Sequence, residues 1–138
     1  MNIRAFADAD EADVAALWGA IFPDRRAWNQ PRAYMARKRG TQPELFLVGE
    51  HNGRVIGTVL AGYDGVRGWI YHLAVAPALR RQGHGAALMR AAEAALAERG
   101  CPKVNLQIVA DNSAVVRFYE RLGYAIEPRI SMGKVLVP

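Results

Sequence analysis

The sequence predicts an α+β fold, a mostly antiparallel mixed sheet flanked by helices. Three observations predict it. Residues 45–75 alternate strand-like runs with tight-turn dipeptides, which is the pattern of an antiparallel meander. Residues 84–109 switch to helical periodicity and then return to a strand, VNLQIV, so one strand–helix–strand crossover makes strands four and five parallel and right-handed. Helical segments on both sides of the meander supply the covering layers. A chain of 138 residues, 51% of them hydrophobic, is sized for one domain, read here as residues 1–138.

The elements follow in order. NIRAF alternates and reads as a short strand. Asp10 is placed to cap a helix running to about Ile21, with Val14, Leu17, Trp18 and Ile21 on one face. FPDRRAWNQP carries a proline near each end and reads as a loop, followed by an arginine-rich helix from about Arg32 to Arg39 that stops at Gly40. LFLVGE, RVIGTVLAGY and RGWIYHLAV are the strands of the meander, separated by turns at Asn52-Gly53 and Asp64-Gly65. Leu88, Met89, Ala92 and Leu96 form the buried stripe of the next helix, which Gly100 and Pro102 end. A last helix spans Ser113 to Leu122, capped by Asn112 or Asp111 and stopped by Gly123, and the tail YAIEPRISMGKVLV reads as two further short strands.

Composition limits the function classes. No apolar run approaches the ~20 residues of a membrane helix. The charged opening MNIRAFADADEAD does not read as a signal peptide, so the expectation is a cytoplasmic protein without a membrane partner. The single cysteine, Cys101, follows a helix end with no base near it in sequence and reads as structural. The formal charge is +5, and arginine supplies 15 of the 18 basic residues. Such an excess favours anionic partners without choosing between a nucleotide and a nucleic acid. No helix-turn-helix or aromatic RNA-binding signature is present, so no nucleic acid is expected.

The chemistry concentrates in RRQGHG, residues 80–85, where a strand gives way to a helix. Helix N-terminal amides and the helix dipole attract anions there, glycine lets a phosphate approach the backbone, and Arg80 and Arg81 add charge. The physical reading is a pyrophosphate cradle. It is not a P-loop, because no lysine follows the glycines, and its spacing does not match a dinucleotide fingerprint.

The blocks IYHLAVAPALRRQGHGAALM and DNSAVVRFYERLGY, in this order and separation, resemble the GCN5-related N-acetyltransferase (GNAT) superfamily. RAWNQP, FLVGEHNGRVIGTVLAGYDG, GCPKVNLQI and RISMGK look more narrowly like the small bacterial YpeA-type acetyltransferases. The resemblance implies the GNAT fold with strands four and five splayed. It also implies acetyl-CoA as co-substrate, no metal, and transfer of the acetyl group to a primary amine by direct attack. The implied acceptor is a small-molecule or peptide amine, and the protein a monomer or homodimer. Cofactor-binding positions would be Leu73, Ala74 and Val75 on the strand edge facing the pantetheine, then Arg80, Arg81, Gln82, Gly83, His84, Gly85 and Ala86 around the pyrophosphate, with Gln82 and His84 contributing backbone. Asn112 would cap its helix or bond the pantetheine.

Tyr119 matches the family's general acid. With a tyrosine pKa of about 10 and a cysteine-like thiol at about 8.5, full proton transfer is uphill by ~2 kcal/mol, which favours hydrogen bonding to the departing thiolate. For the base, some related enzymes carry a glutamate where this chain has Gln107, which cannot accept a proton. The remaining candidates are His72 on the cofactor strand and Asp64 at a turn. Trp28 and Asn29 fall where the family builds its acceptor wall. The alternative reading is a silent acyl-CoA-binding or sensing module of the same fold.

Overall fold

The computed structural model describes residues 1–24 and 26–137, so Arg25 of the FPDRRAWNQP loop lies outside the described residues. The chain divides into two compact units, residues 1–107 and 108–138.

The first unit holds one sheet of five strands in sequence order: β1 (Asn2–Ala5), β2 (Phe46–His51), β3 (Arg54–Tyr63), β4 (Gly68–Val75) and β5 (Val104–Leu106). The pairs β1–β2, β2–β3 and β3–β4 are antiparallel and β4–β5 is parallel, as the crossover predicts. Its helices are α1 (Glu11–Ile21), α2 (Pro31–Arg39) and α3 (His84–Glu98). The turn between β2 and β3 has positive φ at both Asn52 and Gly53, +52° and +76°, the geometry that matches strand twist in a two-residue hairpin.

Alternation along β3 assigns the layers. Thr58 and Leu60 point to α1 and α2, where Val14, Leu17, Trp18, Met35, Phe46, Val48 and Ala74 complete a buried cluster. Gly57 points the other way, to α3. A Cβ there would meet Leu88 Cδ1 at 2.8 Å and the Ala74 carbonyl oxygen at 3.0 Å, so glycine is what lets α3 sit this close. The predicted stripe of α3, Leu88, Met89, Ala92 and Leu96, is fully buried. Its stop is also as predicted. With Gly100 at φ +80°, the Gly100 amide donates to Ala97 O and the Cys101 amide to Leu96 O.

β2 begins only at Phe46, opposite Leu60, so the last three residues of β3 run past it. Side chains close that edge. The Gln42 amide donates to Tyr63 O and accepts from Tyr63 N, both at 2.8 Å, and Lys38 Nζ donates to Ala61 O at 2.6 Å.

Three expectations need correction. Asp10 stands at the start of α1 but does not cap it. Its carboxylate turns back to accept from Ala7 N and from the Arg4 guanidinium, a stronger, charge-assisted partner, and its pKa is lowered chiefly by Arg4. VNLQIV forms a strand only over Val104–Leu106. The tail forms no strand among the described residues. Apolar alternation stabilises a strand only with a ladder to join, Pro128 lacks a donor, and Ile130, Met132 and Leu136 stand 91%, 92% and 87% exposed.

The second unit contains α4 (Ser113–Arg121). Asn112 Oδ1 accepts from Val115 N at 3.3 Å, the predicted cap. Gly123 at φ +95° closes the other end, with the Gly123 amide on Glu120 O and the Tyr124 amide on Tyr119 O.

Candidate active site

In the first unit the site is built on β4 and the loop that follows it. The β4–β5 ladder covers only Gly68–Val104, Trp69–Asn105 and Ile70–Leu106. From Tyr71 to Val75, which includes Leu73, Ala74 and Val75, β4 has no strand neighbour on that side among the described residues. A five-residue sheet edge is therefore offered to a peptide-like arm.

The break coincides with a β-bulge. Leu60 pairs with Tyr71 and Thr58 with Ala74, so two residues of β4, His72 and Leu73, oppose Val59. His72 takes φ +49°, unusual for a residue with a Cβ. The bulge carries Tyr71, cross-strand from Leu60, and His72 onto the same α1–α2 face. A buried relay holds it: Trp18 Nε1–H donates to Thr58 Oγ1 at 2.8 Å, and the Thr58 hydroxyl donates to His72 O at 2.9 Å. The His72 ring lies within 4.2 Å of Tyr34, 4.4 Å of Phe22 and 4.7 Å of Trp18, centroid to centroid. Burial among these rings pushes the imidazole down to about 4.

Beyond β4, Pro77–Leu79 makes one turn of 3₁₀ helix. Arg80 follows, with Nε on Val75 O at 3.2 Å. Arg81 and Gly83 then both take positive φ, +62° and +81°, and Gly83 leads directly into α3. Alternating the sign of φ in this way turns successive amides to one side as an anion-binding concavity. The first helical amide to find a carbonyl is that of Ala87, on Gly83 O at 3.0 Å. The amides of His84, Gly85 and Ala86 precede it and have no backbone acceptor among the described residues. Gln82, His84 and both arginines are solvent-facing or half-buried, in keeping with a role for the loop through backbone and charge. Outward amides, two flanking guanidiniums, a glycine with no atom within 4 Å of where its Cβ would stand, and an open strand edge together fit a pyrophosphate carrying a pantetheine arm.

The other sequence-predicted residues lie apart from this loop. Asp64 sits at the β3–β4 turn, by Gly68, the opposite end of β4. Its Oδ1 accepts from Val66 N and Arg67 N, both at 2.8 Å, and these bonds hold its pKa below the ordinary aspartate range. Trp28 and Asn29 lie in a 3₁₀ turn before α2, where Arg26 stands 5.5 Å over the Trp28 ring and Asn29 Nδ2 donates to Asp24. Gln107 ends the first unit, outside any strand. Cys101 donates to Lys103 O and packs near Gly68, a structural position.

In the second unit, Tyr119 is 8% exposed, with Phe118 and Tyr124 edge-on at 5.0 and 5.7 Å. Burial pushes its hydroxyl up to about 12.

Sequence reasoning missed an open groove of about 330 Å³ on the α2 side of the sheet, walled by Tyr34, Arg37, Lys38 and Tyr71. The cations of α2 were legible, but the bulge that turns Tyr71 toward them was not. Among the described residues no group of three or more His, Cys, Asp or Glu side chains gathers to hold a metal, and no helix is long and apolar enough to cross a membrane.

Comparison with known proteins agrees with this geometry. The Acetyltransferase (GNAT) family matches residues 12–124. A Yersinia enterocolitica protein named acetyltransferase YE1169 is 42% identical over 99% of this chain and 96% of its own length, and a Yersinia pestis acetyltransferase is 43% identical over the same shares. Among solved structures, Ard1 of Thermoplasma volcanium superposes with a TM-score of 0.80 at 27% identity, covering 91% of this chain and 83% of that one. An aminoglycoside 6'-N-acetyltransferase of Acinetobacter haemolyticus superposes at 0.79 over the full length of both chains, and at 19% identity it attests the fold. The chain belongs to the GNAT acetyltransferase family and is an acyltransferase.

Proposed function

We propose that this protein moves the acetyl group of acetyl-CoA to a primary amine by direct attack, the family match running through both units as one transferase domain. The carrying observation is the outward amide cluster at residues 84–86 beside the open β4 edge. A solved relative of the same fold, 16% identical, is described in complex with CoA. The amides, with Arg80 and Arg81, would hold the pyrophosphate. Leu73, Ala74 and Val75 would pair with the pantetheine, leaving the thioester carbonyl toward the bulge. Asn112 caps α4, and that is the role its geometry supports.

In the chemical step the amine nitrogen forms the new C–N bond, the C–S bond breaks, and CoA leaves as a thiolate that takes up a proton. Tyr119 is assigned to that departure by its motif. With its hydroxyl near 12 and a cysteine-like thiol near 8.5, full transfer is uphill by ~3.5 units, or ~5 kcal/mol. Tyr119 therefore acts as a hydrogen-bond donor to the developing thiolate.

The base candidates fare less well. Asp64 is engaged by two amides and its basicity is lowered. His72, near 4, is uphill by ~4 units from an α-ammonium of about 7.8. Both features support an acceptor that enters already neutral, at a cost of ~1 kcal/mol at pH 7 for an α-amine and ~4.6 kcal/mol for a lysine. Trp28, stacked by Arg26, is left as a candidate wall of the acceptor entrance with Asn29.

The test combines a titration and a rate. Acetyl-CoA binding by calorimetry should be lost when Gly83 and Gly85 are both replaced by valine. Tyr119→Phe should keep that binding while turnover, read as thiol release, falls at least about tenfold. A wild type that binds no acetyl-CoA refutes the assignment.

A further inference from the structure

The groove missed in the sequence carries a statement about the acceptor. It lies on the face onto which the bulge turns Tyr71 and His72, and its floor is the neutral run Leu60, Ala61 and Gly62. The two cations in its wall differ from their neighbours. On α2, Arg32 is paired with Glu11 at 3.2 Å and Arg39 with Asp8 at 3.1 Å. Glu44 is taken by Arg99 at 2.5 Å. Arg37 and Lys38, the α2 cations that reach the groove, have no carboxylate within 4.0 Å among the described residues.

Lys38 is the sharper case. Its ammonium is half-buried and donates to one carbonyl, Ala61 O at 2.6 Å, whereas an ammonium has three donors. Glu44 acts on Lys38 only through space and is itself bound by Arg99, so the half-buried ammonium has no carboxylate in contact, an arrangement that an incoming anion relieves. Space for that anion exists: a Cβ on Gly62 would stand 3.9 Å from Lys38 Nζ and 3.7 Å from Gln42 Oε1, ordinary contact distances. Arg37 lies over the Tyr34 ring with its guanidinium carbon 5.4 Å from the centroid, which holds the fork in place.

We propose that this groove is a carboxylate-binding acceptor subsite, in which Arg37 and Lys38 grip the acid group of an amine-bearing acceptor, an amino acid or short acidic peptide, and the rings of Tyr34 and Tyr71 flank its carbon chain. The proposal rests on the transferase reading for what happens to the amine, but binding of the acid is separate from it. It also excludes a polycation such as an aminoglycoside, whose ammonium groups Arg37 and Lys38 repel.

The test titrates the full chain, with and without saturating CoA, against the free-amine tripeptide Glu-Glu-Gly, its neutral counterpart Gln-Gln-Gly-amide, free glutamate and an aminoglycoside. The expected result is that an acid, whether tripeptide or glutamate, binds at least about tenfold tighter than the neutral peptide. The Arg37→Gln/Lys38→Gln pair should abolish that preference without changing acetyl-CoA affinity. Gly62→Val, which fills the groove while keeping both cations, should do the same, with the melting temperature reporting that each variant folds. Equal binding of acidic and neutral peptides, no binding of any acid, tightest binding of the aminoglycoside, or a preference that survives the double variant each overturns the proposal. Failure of the wild type to bind acetyl-CoA overturns the transferase reading instead, and the acid preference is then read from the CoA-free arm.

Discussion

Thr58→Val is the most informative single change. Thr58 is 0% exposed, and its hydroxyl accepts from the Trp18 indole and donates to the His72 carbonyl. Valine keeps the volume and adds apolar surface, so on burial alone it would be neutral or stabilising. It leaves a buried N–H and a carbonyl without their partner, each costing about 1–3 kcal/mol. The carbonyl tolerates the loss better than the donor, so about 3 kcal/mol in total is expected. At an unfolding entropy of about 2.1 cal/mol/K per residue, that lowers the melting temperature of a chain this size by roughly 10 °C. Thr58→Ser keeps the hydroxyl and loses only a methyl, about 1 kcal/mol. Urea unfolding of the three proteins gives the order wild type, serine, valine. Valine as stable as serine, or more so, would refute the account of how the bulge is held.

Two further outcomes follow from the same face of the structure and its reverse. Gly57→Ala places a methyl against the Ala74 backbone oxygen, which cannot withdraw as a side chain can, so a loss of about 1–3 kcal/mol is expected in thermal melts. His72 has a folded pKa near 4 against about 6.5 unfolded, so the unfolded chain binds the extra proton between these values. Its contribution is present above pH 6.5 and is lost as the pH falls toward 4, by roughly 3 kcal/mol. His72→Asn, whose side chain tolerates positive φ, should flatten that part of the stability–pH profile, and an unchanged slope would count against the buried neutral imidazole.

Local signals that act through a few neighbouring residues were legible. Asn52-Gly53 announced its turn, Gly100 and Gly123 their helix stops, and the α3 stripe its buried face, because each is decided within a turn or two of chain. The strand-to-helix junction at residues 80–85 was legible for the same reason. What escaped depends on distant partners. His72 takes a positive φ that no glycine marks, because the Trp18–Thr58 relay holds it from 14 and 54 residues away along the chain. Asp10 looks like a cap until Arg4 is seen to claim it. In the sequence Arg37 and Lys38 are simply two cations of an arginine-rich helix, and only the overhang of β3 and the reversal of Tyr71 make them part of a groove wall. The tail reads as strands by alternation, which cannot reveal whether a ladder awaits it.

The overhang has a consequence for behaviour in concentrated solution. A strand that outruns its neighbour presents a bare ladder to any passing chain, a template for intermolecular pairing and aggregation. Here the Gln42 amide occupies both Tyr63 groups and Lys38 occupies Ala61 O, so two side chains take the place of the missing strand. Pro43, next in sequence, has no N–H to offer an intruder. The same lysine that lines the groove thus also denies the sheet a sticky edge.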